Sequence, residues 1–165
     1  MNDAESQSPP STGSEPEPVR GKPFNFWRWF WLTFLVVSLG YAWYCFYVPY
    51  NSNIAWAGDY SLAQQQASQS GKPIIIFFTA TWCVPCRIMK RNVWGDKQVV
   101  ASVNEGFIPV MIDLDDPAAA KTLSRYQVRA TPTTIIADPQ GKVLQQVLGG
   151  MSKAEFLELL ARWRK

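Results

Sequence analysis

Histidine is absent from this chain of 165 residues. Its absence excludes Ser-His and Cys-His nucleophilic pairs, and it removes the usual ligand of most zinc and copper sites. The chain also has no strong excess of positive or negative charge, because 16 Lys and Arg residues are interspersed with 13 Asp and Glu residues. Nucleic-acid binding requires a basic patch or stripe and is therefore not expected. We also expect no metal ion and no organic cofactor.

Large apolar side chains are scarce in the first 23 residues, which instead hold five of the twelve prolines. A segment of this composition cannot bury enough apolar surface to offset the entropy lost on ordering. Residues 1–23 are therefore predicted to form a disordered tail.

Charge disappears between Arg28 and Val48, in a run rich in Trp, Phe, Leu and Val. About 20 apolar residues match the hydrocarbon core of a bilayer, and aromatic residues at both ends are typical of the headgroup level. Lys and Arg stand before the run, at positions 20, 22 and 28, and are absent after it until Lys72. The positive-inside rule then predicts a single-pass transmembrane anchor over residues 24–50, a cytoplasmic tail, and a periplasmic or other extracytoplasmic location for the chain beyond the anchor.

Residues 51–58 are predicted to be a linker between the anchor and a domain over residues 59–165. Within the linker, Ala55-Trp56-Ala57 has the small-x-small form of a cleavage site, which leaves open the alternative of a cleaved signal peptide. The apolar run is longer than the usual h-region of about 7 to 15 residues and starts far into the chain, so we favour the anchor.

Helical and strand patterns alternate from Asp59 onward. Residues 74–79 are a continuous apolar, β-branched run, typical of a central strand buried on both faces. Residues 138–141 form a turn short enough to make the strands on either side an antiparallel hairpin. Ser152 and Glu155 form a capping box before an amphipathic helix. In order, we predict helices at 59–69, 85–91, from 96, at 116–125 and from 152, with strands at 74–79, 107–113, 133–137 and 143–148.

Two cysteines, Cys83 and Cys86, follow the strand at 74–79. A helix is predicted to start inside this motif, so unpaired backbone N–H groups and the helix dipole favour the thiolate of Cys83 over its thiol. Cys86 lies one turn further along, where it can attack a mixed disulfide formed at Cys83 and release the product. The pair therefore predicts thiol–disulfide exchange, with an exposed Cys83 as the nucleophile and a buried Cys86.

Several features together resemble the thioredoxin family. The sequence Trp82-Cys83-Val84-Pro85-Cys86 follows an apolar strand, residues 128–133 are similar to the family's cis-proline loop, and Gly149 and the final helix match in position. The resemblance covers about residues 56–164. It implies an α/β thioredoxin-like fold with a central mixed sheet flanked by helices, here preceded by one transmembrane helix. It also implies a cis peptide bond before a proline that lies against the cysteines, and a substrate groove that includes Trp82, Val84, Pro85, Thr131 and Pro132.

Two shorter stretches, residues 70–73 and 92–99, resemble more narrowly the exported domains related to the C-terminal domain of transmembrane disulfide-interchange reductases. This resemblance implies a reductase that acts on disulfides in exported proteins and receives electrons from a membrane donor of the disulfide-interchange type. The Val84-Pro85 pair between the cysteines, together with the missing histidine, favours a reducing member of the family.

The chain departs from the family at Phe77. Thioredoxins usually carry a buried aspartate six residues before the first cysteine, where it is thought to help deprotonate the second. Because phenylalanine occupies this position, the proton acceptor for Cys86 has to be another group or solvent.

Other functions of the cysteine pair stay open from the sequence. The pair can be half of a zinc site, although neither a second pair nor a histidine completes four ligands. It can be a structural disulfide, although so short a loop gives little stabilisation. The same pair is also compatible with an oxidase or disulfide isomerase. A catalytically silent thioredoxin-like binding module is a further alternative, against which the intact pair argues.

Overall fold

The computed structural model describes residues 26–47 and 52–164. The predicted tail at 1–23, and the parts of the predicted anchor and linker at 24–25 and 48–51, lie outside the described residues. Helix α1, Phe26–Tyr47, occupies the position of the predicted anchor.

Helix α1 has an almost wholly apolar surface, and its large apolar side chains that the structure describes are 48% to 70% exposed. Trp and Tyr recur along this helix. Among the described residues, no helix is both long and apolar enough to cross a membrane. The structure thus contains a helix at the predicted position, but it does not confirm the predicted bilayer span.

Helices and strands alternate in the rest of the described chain, as the sequence pattern predicts. Asp59, Asp96, Asp116 and Ser152 each accept a hydrogen bond from a backbone N–H of the helical turn that follows, which stabilises these helix starts. The elements are α2 Tyr60–Ser70, β1 Ile74–Thr79, α3 Val84–Met89, a π-helical turn Lys90–Trp94, α4 Lys97–Gly106, β2 Ile108–Asp113, a 3₁₀ turn Pro117–Ala119, α5 Ala120–Tyr126, β3 Thr133–Ala137, β4 Val143–Leu148 and α6 Lys153–Trp163.

The four strands form one mixed sheet in the order β2-β1-β3-β4. Strand β1 pairs in parallel with β2 and antiparallel with β3, and β3 and β4 form the predicted antiparallel hairpin. Every residue of β1 is buried, as its continuous apolar run predicts. The expected mixed sheet flanked by helices is therefore confirmed.

Two apolar clusters lie on opposite faces of β1. Ile75 and Phe77 belong to the cluster on the α3 face, which also includes both motif cysteines. Ile76 and Phe78 belong to the cluster on the opposite face. Alternate residues of a strand point to the same face, so Thr79 at the end of β1 points to the α3 face, as Phe77 does.

The segment predicted as a linker packs against the domain where it is described. Ala57 forms a parallel bridge with Val110, and its N–H donates to the Pro109 carbonyl at 2.8 Å. The side-chain amide of Asn104 donates to the Asn53 carbonyl at 2.9 Å, and its oxygen accepts from the backbone N–H of residue 55 at 3.0 Å. Residues 53–57 therefore extend the free edge of β2 and contribute to the packed domain.

Candidate active site

The motif cysteines lie at the start of α3 and form a disulfide, Cys83–Cys86. Cys83 is the N-cap residue, with extended backbone, and the backbone N–H of Cys86 donates to Cys83 Sγ at 3.2 Å. Pro85 occupies the first turn, where its missing N–H costs no hydrogen bond. The predicted environment of Cys83, a sulfur at a helix start that faces a backbone donor, is thus present.

The prediction of an exposed Cys83 and a buried Cys86 concerns the reduced protein, whereas the structure shows the disulfide form. In this form Cys86 is 0% exposed and Cys83 is 2% exposed. The disulfide turns the Cys83 sulfur towards Cys86. The exposed residues of the motif are Trp82 at 66%, Val84 at 48%, and Pro85. Ile88, one turn further along α3, is 54% exposed and was not singled out from the sequence, because an apolar residue in a helical pattern indicates burial.

A carboxylate on the β2–α5 connection holds the residues just before Cys83. Asp115 Oδ2 accepts from the Thr81 backbone N–H at 3.0 Å and from the Thr81 hydroxyl at 2.6 Å. Asp115 Oδ1 accepts from Trp82 Nε1 at 3.2 Å. The hydrogen bonds from Thr81, the side-chain one first, keep the pKa of Asp115 below its usual value. On the other side, Arg87 Nη2 donates to the Thr81 carbonyl at 2.6 Å, so Thr81 is held from both directions.

Sequence reasoning did not find Asp115, because it lies 33 residues after Trp82. The available indication was the position of Asp115 shortly after a predicted strand. Parallel strands end at the same edge of a sheet, so residues that follow β1 and β2 can meet there.

The predicted cis-proline loop lies at the same end of the sheet as the cysteines. The Thr131–Pro132 peptide bond is cis, as the sequence resemblance implied. Thr133, which follows it, pairs with Phe78 at the end of β1. The loop is tied to the end of β4, because the Gly149 N–H donates to the Pro132 carbonyl at 2.8 Å. Gly149 has a φ of +97°, which only glycine adopts readily.

An open groove of about 430 Å³ runs along α3 beside the motif. Of the five residues predicted to form a substrate groove, only Pro85 lines it. Met89 and Val93 from the α3 side and Met151 from the β4–α6 loop make it apolar.

The interior beneath the cysteines is apolar where the family usually has an aspartate. Phe77 is 0% exposed, and its ring centroid lies 5.2 Å from that of Trp94. Trp94 in turn contacts Phe156 of α6, with centroids 4.7 Å apart. The register partner of Phe77 in β2 is Met111, another apolar residue. These aromatic contacts explain why position 77 holds phenylalanine in this core.

Comparison with known proteins identifies the class. Residues 60–163 match the family model described as a thioredoxin-like domain. Because the match covers more than half of the chain, the chain belongs to this family. The fold, the Cys83–Cys86 disulfide and the names of its relatives together define a thiol–disulfide oxidoreductase.

Individual relatives refine this assignment. The thiol:disulfide interchange protein DsbD of Pseudomonas fluorescens is 29% identical over 104 residues, which are 61% of this chain and 17% of that protein. The thiol-disulfide oxidoreductase ResA of Geobacillus thermodenitrificans is 27% identical over 160 residues, covering 78% of this chain and 90% of that protein. The oxidised C-terminal domain of Neisseria meningitidis DsbD has the same fold, with a TM-score of 0.54 at 21% identity over 63% of this chain and 91% of that chain. The chain thus spans about a sixth of the length of its DsbD relatives and is similar to their C-terminal domain.

Proposed function

We propose that this protein reduces disulfides in exported proteins through the Cys83/Cys86 dithiol. The Cys83 thiolate attacks one sulfur of a substrate disulfide, that bond breaks, and the other substrate sulfur leaves and takes up a proton. A mixed disulfide then joins Cys83 to the substrate. Cys86 loses its proton and attacks Cys83 Sγ, which releases the second substrate sulfur as a thiol. Two electrons and two protons pass to the substrate, and the Cys83–Cys86 disulfide remains.

The hydrogen bond from the Cys86 N–H to Cys83 Sγ carries this proposal. Once the disulfide is reduced, the same donor and the start of α3 favour a thiolate at Cys83. Cys83 lies at the helix start between the exposed Trp82 and Val84, whereas Cys86 is fully buried one turn inside, so we expect a protein substrate to react at Cys83. The exposed indole of Trp82 and the groove beside Pro85 provide apolar contact for a substrate segment.

Insulin reduction driven by dithiothreitol tests whether the pair is catalytic. We expect the full chain in detergent to accelerate precipitation of the insulin B chain, and Cys83→Ser to abolish the effect. Cys86→Ala should trap a mixed disulfide. The third cysteine provides a matched control, because Cys45→Ser removes a thiol outside the motif. Equal rates with and without the wild-type chain would instead favour the silent binding module.

The direction of electron flow rests on the residues between the cysteines. Strongly oxidising relatives owe their potential to an unusually stabilised thiolate, commonly helped by a histidine there, and this chain has Val84-Pro85 and no histidine. We expect a midpoint nearer the thioredoxin value of about −270 mV than about −120 mV. Equilibration of Cys45→Ser with glutathione buffers, followed by thiol counting, measures it. A midpoint more oxidising than about −180 mV would point to an oxidase or isomerase.

Membrane attachment through α1 and supply of electrons by a membrane donor complete the proposed function. The exposed aromatic and aliphatic side chains of α1 support attachment, because so large an apolar surface is unfavourable in water. We place the thioredoxin-like domain outside the cytoplasm, where disulfides persist. The protein should therefore sediment with membranes and be released by detergent but not by salt, and protease should digest the domain in cells with a permeabilised outer layer. Recovery in the soluble fraction would contradict attachment.

An uncleaved N-terminal segment is favoured by the packing of residues 53–57. Cleavage after Ala57 would remove Ile54, which is 7% exposed, and the Trp56 ring, whose centroid lies 4.9 Å from that of Trp94. We therefore expect N-terminal sequencing of the mature protein not to begin at Gly58. A start at Gly58 would identify a signal peptide instead.

A further inference from the structure

Lys90 lies one helical turn beyond Cys86 on the same side of α3. Its backbone N–H donates to the Cys86 carbonyl, which fixes the two residues at i and i+4. Side chains with this spacing are neighbours on a helix surface. Cys86 is fully buried and Lys90 is partly buried, so the Lys90 side chain lies along the packed side of α3.

The position of the Lys90 ammonium group is indicated by Asp113. Asp113 ends β2 as the register partner of Thr79, and its carboxylate attracts the Lys90 ammonium group, which partly offsets the lowering of the Lys90 pKa by burial. Parallel register partners point to the same face, so Thr79 and Asp113 both point to the α3 face. The ammonium group is thus drawn towards the ends of β1 and β2, where the redox motif begins.

This end of the interior is polar, in contrast to the apolar layer at Phe77. The Thr79 hydroxyl is buried and has no hydrogen-bond partner among the described residues. Two charged groups influence the pKa of Lys90: Asp113 from β2 and Arg87 from α3. Burial of the Lys90 side chain has a larger effect than either charge, and it lowers the Lys90 pKa. A partly desolvated cation interacts with a nearby negative charge more strongly than an exposed one.

We propose that the Lys90 ammonium group stabilises the Cys86 thiolate in the second step of the reaction. The inference rests on the proposed function, in which Cys86 resolves the mixed disulfide. The proton of Cys86 passes to solvent, and Lys90 stays protonated while its charge balances that of the sulfur. The Cys86 thiolate then forms the Cys83–Cys86 bond and breaks the bond between Cys83 and the substrate. A cation thereby favours deprotonation at a site that lacks the family's aspartate.

Single-turnover kinetics on the full chain in detergent separate the two steps. The substrate is a peptide disulfide with a fluorophore on the half that stays bound to Cys83. Formation of the mixed disulfide is measured in the Cys86→Ala background, and release of the labelled peptide is measured with Cys86 present. Lys90→Met and Lys90→Gln remove the charge, and Lys90→Arg keeps it. Lys97→Met, at the exposed start of α4, is the matched control.

We expect Lys90→Met and Lys90→Gln to slow release about 3- to 10-fold at pH 7, because a nearby opposite charge moves a thiol titration by about one unit. The pH of half-maximal release should rise accordingly, so that the variants approach the wild-type rate at high pH. Formation in the Cys86→Ala background should change less than twofold. Lys90→Arg and Lys97→Met should release at close to the wild-type rate.

Release by Lys90→Met and Lys90→Gln at the wild-type rate and with the wild-type pH profile would overturn the inference alone. Equal slowing in Lys97→Met, or slowing in Lys90→Arg as large as in Lys90→Met, would overturn it as well. A wild-type chain that forms no mixed disulfide would overturn the proposed function, and the role of Lys90 with it.

Discussion

Restoring an aspartate at position 77 should destabilise this protein severely. Phe77 is fully buried and its ring contacts Trp94, so Phe77→Asp replaces a large aromatic side chain with a small polar one in the centre of the core. The residue opposite in β3, Thr134, has a buried hydroxyl without a partner among the described residues, and it could bond the new carboxyl. That single hydrogen bond does not replace the lost packing.

The size of the effect follows from burial. Truncation of a buried phenylalanine costs about 3–5 kcal/mol, and a buried carboxyl group that is incompletely hydrogen-bonded adds about 1–3 kcal/mol. The sum, roughly 4–8 kcal/mol, is comparable with the whole stability of a typical domain, about 5–15 kcal/mol. Phe77→Leu keeps an apolar side chain of similar volume and should cost only about 1 kcal/mol.

Guanidinium unfolding of the oxidised full chain in detergent, followed by circular dichroism, measures both variants. We expect Phe77→Asp to be largely unfolded before denaturant is added, and Phe77→Leu to unfold cooperatively near the wild-type midpoint. If Phe77→Asp instead unfolded at the midpoint of Phe77→Leu, the core beneath the cysteines would tolerate a carboxylate, and aromatic packing would not explain why the aspartate is missing.

Three further predictions concern contacts outside the cysteine pair. Asp115→Ala should accelerate hydrogen exchange of the Trp82 indole N–H in NMR spectra, and an unchanged exchange rate in the variant would refute the contact. In the wild type, where the Asp115 pKa is lowered from 3.8, exchange of this N–H should accelerate only as the pH falls through that lowered value. Tyr60→Phe should lower the free energy of unfolding by about 1 kcal/mol by breaking the 2.7 Å contact between the hydroxyls of Tyr60 and Tyr126, and additive losses in a double-mutant cycle with Tyr126→Phe would contradict the coupling. Asn104→Ala should expose residues 53–57 to limited proteolysis, with an unchanged digestion pattern as the contrary result.

Local sequence patterns determined much of the fold. A continuous apolar run is sufficient to predict a buried strand at 74–79, and the capping residues Asp96, Asp116 and Ser152 predict where helices begin, because capping is a contact within one turn. The cysteine spacing likewise depends on neighbouring residues and predicted the motif, and the resemblance of residues 128–133 to the family's loop implied the cis bond. These features require no knowledge of which strand pairs with which.

Only the tertiary structure decided the contacts that surround the cysteines. The parallel pairing of β1 and β2 brings residues more than 20 positions apart to one edge of the sheet. Asp115 therefore accepts a hydrogen bond from Trp82, and the Asp113 carboxylate attracts the Lys90 ammonium group. The Cys83 side chain is buried in the disulfide form, which its sequence neighbours did not predict. Residues 53–57 pack on β2 although the sequence pattern predicted a linker there. Sequence periodicity fixes which side of an element is apolar, but strand register fixes which polar groups meet, and in this protein those groups lie at the redox site.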